Sequence, residues 1–164
     1  MTSNLMEETE LSHHRRFFGI IYSIMKKIVL DTNIIIAALM SRRGASFRLL
    51  SLIGRNQFDI VISVPLVLEY ETVAKRLSGD KIRLSHAQID DVLDYICKVA
   101  IHQRIYYLWR PVLSDPQDDQ VLEVAMNAGA DAIVTFNVRD FARANQHDVD
   151  IMQPKLFLEQ IGVI

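Results

Sequence analysis

Apolar and polar positions fall into blocks along this chain, and the first clear block ends abruptly. Ile28-Val29-Leu30 is a continuous apolar run with β-branched members, as in a strand buried on both faces, and it stops at Asp31. Thr32 and Asn33 follow, and either caps a helix starting near Ile34. Gly44–Gln57 carries Phe47, Leu50 and Ile53 at helical spacing, with Gly54 and Asn56 marking its end. Phe58–Val64 reads as a second strand. Pro65 then sits in the first turn of a helix that runs to Leu77 and carries Leu66, Leu68, Tyr70, Val73 and Leu77 as its apolar set.

The later pattern repeats this order. Ser85 caps an amphipathic helix reaching Ile101, with Ile89, Val92, Leu93, Ile96 and Val99 on one face. Gln103–Trp109 is a candidate short strand. After the turn "SDPQDD", Asp119–Ala128 has helical spacing and Gly129 as its stop. Asp131–Phe136 is strand-like, Arg139–Asn145 a helical turn, Val149–Met152 a weak strand, and a last helix starts at Pro154. Nearly all-apolar strands alternating with helices predict an α/β fold with a parallel sheet covered on both faces.

Composition narrows the classes. The 164 residues make one domain by length, 50% are hydrophobic and 23% charged, and the formal net charge is -2, which excludes a disordered chain. A polyanion partner must therefore be bound locally. Cys97, the single cysteine, cannot close an internal disulfide; its spacing makes it a core thiol and fits a reducing cytoplasm. "HHRRFFGIIYSIM" has a basic flank and a short apolar stretch, but no small-residue cleavage site follows it and Lys26-Lys27 come straight after Met25. Met1–Ile24 is accordingly read as an extension outside the domain, with Phe17, Phe18, Ile20 and Ile21 available to dock. No segment has the roughly 18 apolar residues of a membrane span.

The chemistry lies in the acids. In an open parallel sheet, ligands sit at the carboxyl ends of the strands, which is where Asp31 and Thr135 to Asn137 fall. Glu69 and Glu71 lie in the helix after the second strand. Asp115, Asp118 and Asp119 crowd the start of a later helix, and capping explains only part of that cluster. Converging carboxylates repel by about 4 kcal/mol per pair at 4 Å and an effective dielectric of 20. A divalent cation removes that penalty, and an oxygen-only donor set selects Mg²⁺ or Mn²⁺ over zinc. Such a site suits phosphodiester hydrolysis. His13, His14, His86, His102 and His147 form no nucleophile–base arrangement.

"IVLDTNIIIAAL", "ISVPLVLEYETV" and "SDPQDDQVLEVAMNAGADAIVTFNVRDF" together resemble a PIN domain, in particular its bacterial toxin-like branch related to VapC toxins. The resemblance covers residues 25–164 and implies a three-layer α/β/α fold with a central, mainly parallel sheet. Its motifs make Asp31 the first acid, Glu69 the second and Asp119 the third. Asp115, Asp118, Thr32, Asn33 and Thr135 support these acids, and Asn137 stands at the fourth position. Many members have Asp there, so with Asn137 in its place a second metal relies on Asp140. Arg42, Arg43 and Arg139 are the candidate phosphate contacts.

The activity implied is a Mg²⁺- or Mn²⁺-dependent endoribonuclease, the toxin of a toxin–antitoxin pair. Its expected partners are RNA, an antitoxin protein and a second copy of the chain, with no membrane. The alternative is a nucleic-acid-binding or partner-binding module whose acid site is incomplete at Asn137. A phosphate-accepting receiver domain also places acids at strand ends. It requires adjacent acids near the first strand and a late strand-end lysine, and this chain shows neither.

Overall fold

The computed structural model describes residues 25–108, 113, 116–141 and 148–164. Met1–Ile24, Trp109, Asp115, His147 and most of Arg139–Asn145 lie outside the described residues. The elements are β1 (Lys27–Leu30), α1 (Thr32–Met40), α2 (Ala45–Leu52), β2 (Asp59–Ile62), α3 (Val64–Leu77), α4 (His86–Val99) and β3 (Ile101–His102), then α5 (Pro116–Ala128), β4 (Ala132–Val134), β5 (Asp150–Met152) and α6 (Pro154–Gln160). Among the described residues, five strands form one sheet in the order β3-β2-β1-β4-β5, and every pairing is parallel. Ile28, Val29 and Leu30 are all buried, as are Ala132, Ile133 and Val134. Successive strand residues point to opposite faces, so both faces of the sheet are covered, as the apolar runs predict.

The order places β1 at the centre. The chain builds outward from β1 through β2 to β3, then returns to the other side of β1 with β4 and β5. A crevice opens where that winding reverses, beyond the carboxyl ends of β1 and β4. Asp31 and Thr135 are the first residues past those two ends.

Local chemistry sets most boundaries. Ser63, read as part of the second strand, is the N-cap of α3, its hydroxyl accepting from the Leu66 amide at 3.4 Å. Ser85 caps α4 in a reciprocal capping box with Gln88. Gly129 ends α5 at φ 58°, a left-handed turn that favours glycine.

Several expectations are corrected. Helix α1 begins at Thr32, because Asp31 itself takes the cap position expected of Thr32 or Asn33. Helix α5 begins at Pro116, three residues before Asp119, since proline suits a first turn. The short strand expected at Gln103–Trp109 is instead Ile101–His102. Gln103 adds one further main-chain bond to Ile62 at 2.8 Å before the chain leaves the sheet. Leu68, placed on the apolar face of α3, is 55% exposed, because that helix buries Leu66, Tyr70 and Ala74. Cys97 stands half-buried at the edge of the core, and burial pushes its thiol up. No helix among the described residues is long and apolar enough to cross a membrane.

Candidate active site

Asp31 is only 6% exposed although it carries a carboxyl group. Its amide bonds to the Val134 carbonyl at 3.0 Å, which locks the end of β1 to the end of β4. Its Oδ2 accepts from the Thr135 hydroxyl and from Asn33 Nδ2, both at 2.6 Å. Asn33 Nδ2 also reaches Thr135 Oγ1 at 3.2 Å, and Asn33 Oδ1 accepts from the Phe136 amide at 3.3 Å. Asn33 is thus a clasp between α1 and the segment after β4. Thr135 Oγ1 in turn accepts from the Asn137 amide at 2.9 Å.

The second acid sits beside the first. Thr32 Oγ1 donates to Glu69 Oε1 at 2.6 Å, tying α3 to the residue after Asp31. Tyr70 is fully buried and its hydroxyl donates to the Leu30 carbonyl, directly before Asp31. Burial, then the negative charges of Asp31 and Glu69, hold the Tyr70 phenol far above its ordinary range. Both carboxylates therefore act on one buried point.

Burial also raises the Asp31 carboxyl above its ordinary value. Donation from Thr135, from the Asn33 and Thr32 amides and from the Asn33 side chain opposes the rise without cancelling it. Every one of those donors is neutral. A buried anion whose partners among the described residues are all neutral is a place where a cation gains most.

Asp118 and Asp119 are buried in the first turn of α5, and that helix packs against β1, β2, β4 and α3. Asp119 Oδ1 accepts from the Leu113 amide at 2.9 Å, so part of its role is to hold the segment entering the helix. Asn137, Arg139 and Asp140 lie on the exposed turn after β4, with the Asp140 amide bonded to the Asn137 carbonyl at 3.0 Å. Arg42 and Arg43 are exposed between α1 and α2. The structure thus clusters Asp31, Thr32, Asn33, Glu69 and Thr135, with Asn137 joined through its main chain, and leaves the three arginines exposed. Asp115 lies outside the described residues.

Among the described residues, no group of three or more His, Cys, Asp or Glu side chains forms a ready cation cage. The donor chemistry still fits a hard ion. Mg²⁺ keeps several waters and binds through one or two carboxylates, and Asp31 and Glu69 offer oxygen donors of that kind.

Two residues were missed in the sequence. Tyr70 belongs to the apolar set of α3 in the sequence pattern, and its hydroxyl gives no signal there. Glu123 received no role, yet it is 3% exposed one turn after Asp119 on the same helix face. The signal for Glu123 was the one used for Asp31, a carboxylate inside an apolar run, Val121 to Met126.

A family model for the PIN domain matches residues 27–139. The chain belongs to the PIN-domain family. No curated protein is detectably similar to it in sequence. Among solved structures, the PIN chain matches the crystal structure of VapBC2 from Rickettsia felis bound to a DNA fragment from their promoter. The match has a TM-score of 0.55 and 19% identity, and covers 76% of this chain and 98% of that one. At that identity the likeness is one of fold. The PIN-domain match ends at Arg139, so β5 and α6 lie beyond it.

The Tyr70–Leu30 bond gives a direct test of how the site is seated. Tyr70→Phe leaves the Leu30 carbonyl without this donor and is expected to destabilise the fold by about 1–3 kcal/mol. Urea denaturation measures it, and an unchanged midpoint would show that the hydroxyl adds no net stability.

Proposed function

We propose that this PIN-domain chain is a metal-dependent endoribonuclease that hydrolyses RNA phosphodiester bonds, and that it is the toxin of a type II toxin–antitoxin pair. The observation that carries the reading is Asp31, a buried carboxylate at the sheet's switch point whose hydrogen-bond donors among the described residues are all neutral, with Glu69 bonded to the neighbouring Thr32. The sequence resemblance to VapC-related toxins and the fold shared with a VapBC2 complex support the toxin assignment.

In this reading Asp31 and Glu69 hold Mg²⁺ or Mn²⁺, Asp119 is the third ligand with Asp118 beside it, and Asn137 and Asp140 complete the fourth position. When bound, the cation supplies an acidified water and a counter-charge for the phosphate. The chain's own part is orientation. Thr32 fixes Glu69, and Thr135 with Asn33 fixes Asp31, so both carboxylates are set before substrate arrives. Arg42, Arg43 and Arg139 meet substrate phosphates as delocalised, permanently charged groups.

The partners in this proposal are an antitoxin protein and a second copy of the chain, in the cytoplasm. Val64 and Leu68 support an apolar contact surface, since both are largely exposed on α3. The enzymatic claim is tested by incubating the purified chain with a mixed RNA pool and Mn²⁺, Mg²⁺ or excess chelator. Cleavage is expected with either metal and none with chelator. A folded protein that cuts under no condition yet retains RNA or protein binding would instead be a binding module.

A further inference from the structure

A recess of about 370 Å³ lies next to the acidic site, between the carboxyl end of α1, the start of α2 and the segments that follow β4 and β5. Met40, Arg43, Gly44, Ser46, Phe136 and Lys155 stand in its wall. It joins the acidic site through one residue, because the Phe136 amide is bonded to the Asn33 side chain that also holds Asp31.

Its chemistry is opposite to that of the acids. Helix α2 starts without a side-chain cap and with no acid in its first turn, and Arg42 and Arg43 stand just before its Gly44 cap. Helix starts carry partial positive charge and normally attract Asp, Glu, Ser or Thr, so two cations here leave an unanswered positive locus. Among the described residues Arg43 makes no ion pair, and Lys155 has only Glu159 at 3.7 Å. Gly44 lies at φ 99° and ψ 175°, a conformation essentially restricted to glycine, and nothing lies within 4 Å of where a Cβ would stand. A ligand can therefore approach that main chain closely.

Ser46 points independently to a ligand. It is 6% exposed, and its Oγ is buried with no hydrogen-bond partner among the described residues. Buried hydroxyls are rarely left so. Across the recess, Phe136 is 44% exposed and Met40 46%, which gives an apolar platform beside the positive end of α2.

We infer that this recess is a subsite for one nucleotide of single-stranded RNA, flanking the scissile bond. The base lies against Phe136 and Met40, and the phosphate is held by Arg43, Lys155, the first amides of α2 and Ser46 Oγ. Aromatic faces accept any base, so the subsite adds affinity without reading sequence. It also supplies the local attraction that a chain of net charge -2 needs to bring a polyanion to an acidic site. The inference rests on the ribonuclease reading and extends it.

The test uses the full chain and a short labelled oligoribonucleotide, with anisotropy recorded in excess chelator at several salt concentrations and KM and kcat measured with Mn²⁺. The double variant Arg43→Gln with Lys155→Gln is expected to weaken binding about tenfold or more and to flatten the log–log salt slope by about 0.7, the share of one neutralised phosphate on a single strand. Phe136→Ala is expected to weaken binding about tenfold, raising KM with kcat little changed. Ser46→Ala should weaken binding without lowering thermal stability, since it removes an unpaired hydroxyl. Wild-type protein that cuts RNA while these variants bind and cut equally well overturns the subsite alone. Wild-type protein that neither binds nor cuts overturns the ribonuclease reading and the subsite with it.

Discussion

Asp31→Asn is expected to lower metal-dependent RNA cleavage by at least about 10²-fold, the loss that follows removal of one preorganised charge-stabilising group. The same change should leave the metal-free fold as stable as before or more so. Burial raises the Asp31 carboxyl from its ordinary value of 3.8. The folded chain therefore holds that proton more tightly than the unfolded chain does. Its contribution to stability falls as pH rises from 3.8 through the raised value, then stays flat above it. Asparagine carries no proton to lose and keeps an oxygen for Thr135 and Asn33, so this component vanishes in the variant. Melting in chelator across that window and single-turnover cleavage with Mn²⁺ measure the two effects separately. Added Mn²⁺ should also raise the melting temperature of the wild type and not of the variant, because a ligand stabilises only the state that binds it. Full cleavage by Asp31→Asn would remove Asp31 from the site.

Asp31 was legible in the sequence for the reason it is expected to matter. A charge placed directly after Ile28-Val29-Leu30 breaks a strand's apolar pattern, although the structure also gives Asp31 the cap position of α1. Thr135 was legible in the same way, at the end of a second apolar run. Ser85 was legible as a helix start because a serine directly before an apolar-periodic run is a cap signal, and Gln88 completes the capping box in the structure. The misreadings come from elements that carry no such signature. Strand β3 is two residues long with both side chains exposed, so it has no apolar periodicity to detect, and the aromatic run after it looked more strand-like. Leu68 faces outward because α3 packs through Leu66, Tyr70 and Ala74, a choice fixed by where α1 and α4 lie against it. The recess beside the acids was not legible at all. Its walls come from residues 37–46, 136 and 153–155, brought together only by the winding of β4 and β5 on the far side of β1.

Phe157→Ala is expected to have the largest effect on the fold. The ring is fully buried and meets Phe58 edge-on, with centroids 5.4 Å apart and planes at 83°. Deleting a buried phenylalanine removes about 3–5 kcal/mol, the edge-to-face pair contributing roughly 0.5–1.5 kcal/mol of it. Against a typical total of about 5–15 kcal/mol, that is a large fraction. Phe157→Leu keeps most of the apolar volume and should lose far less, so urea midpoints of the pair separate lost volume from lost ring geometry. A loss under about 1 kcal/mol in Phe157→Ala would mean that α6 is not held by this contact. The consequence for function follows from which element carries which group. Asp31 follows β1 and Glu69 sits in α3, whereas Lys155 sits in α6, which packs on α2 and closes the recess. In a Phe157→Ala protein that still folds, kcat at saturating RNA should therefore hold while KM rises, because α6 loosens before the central strand does.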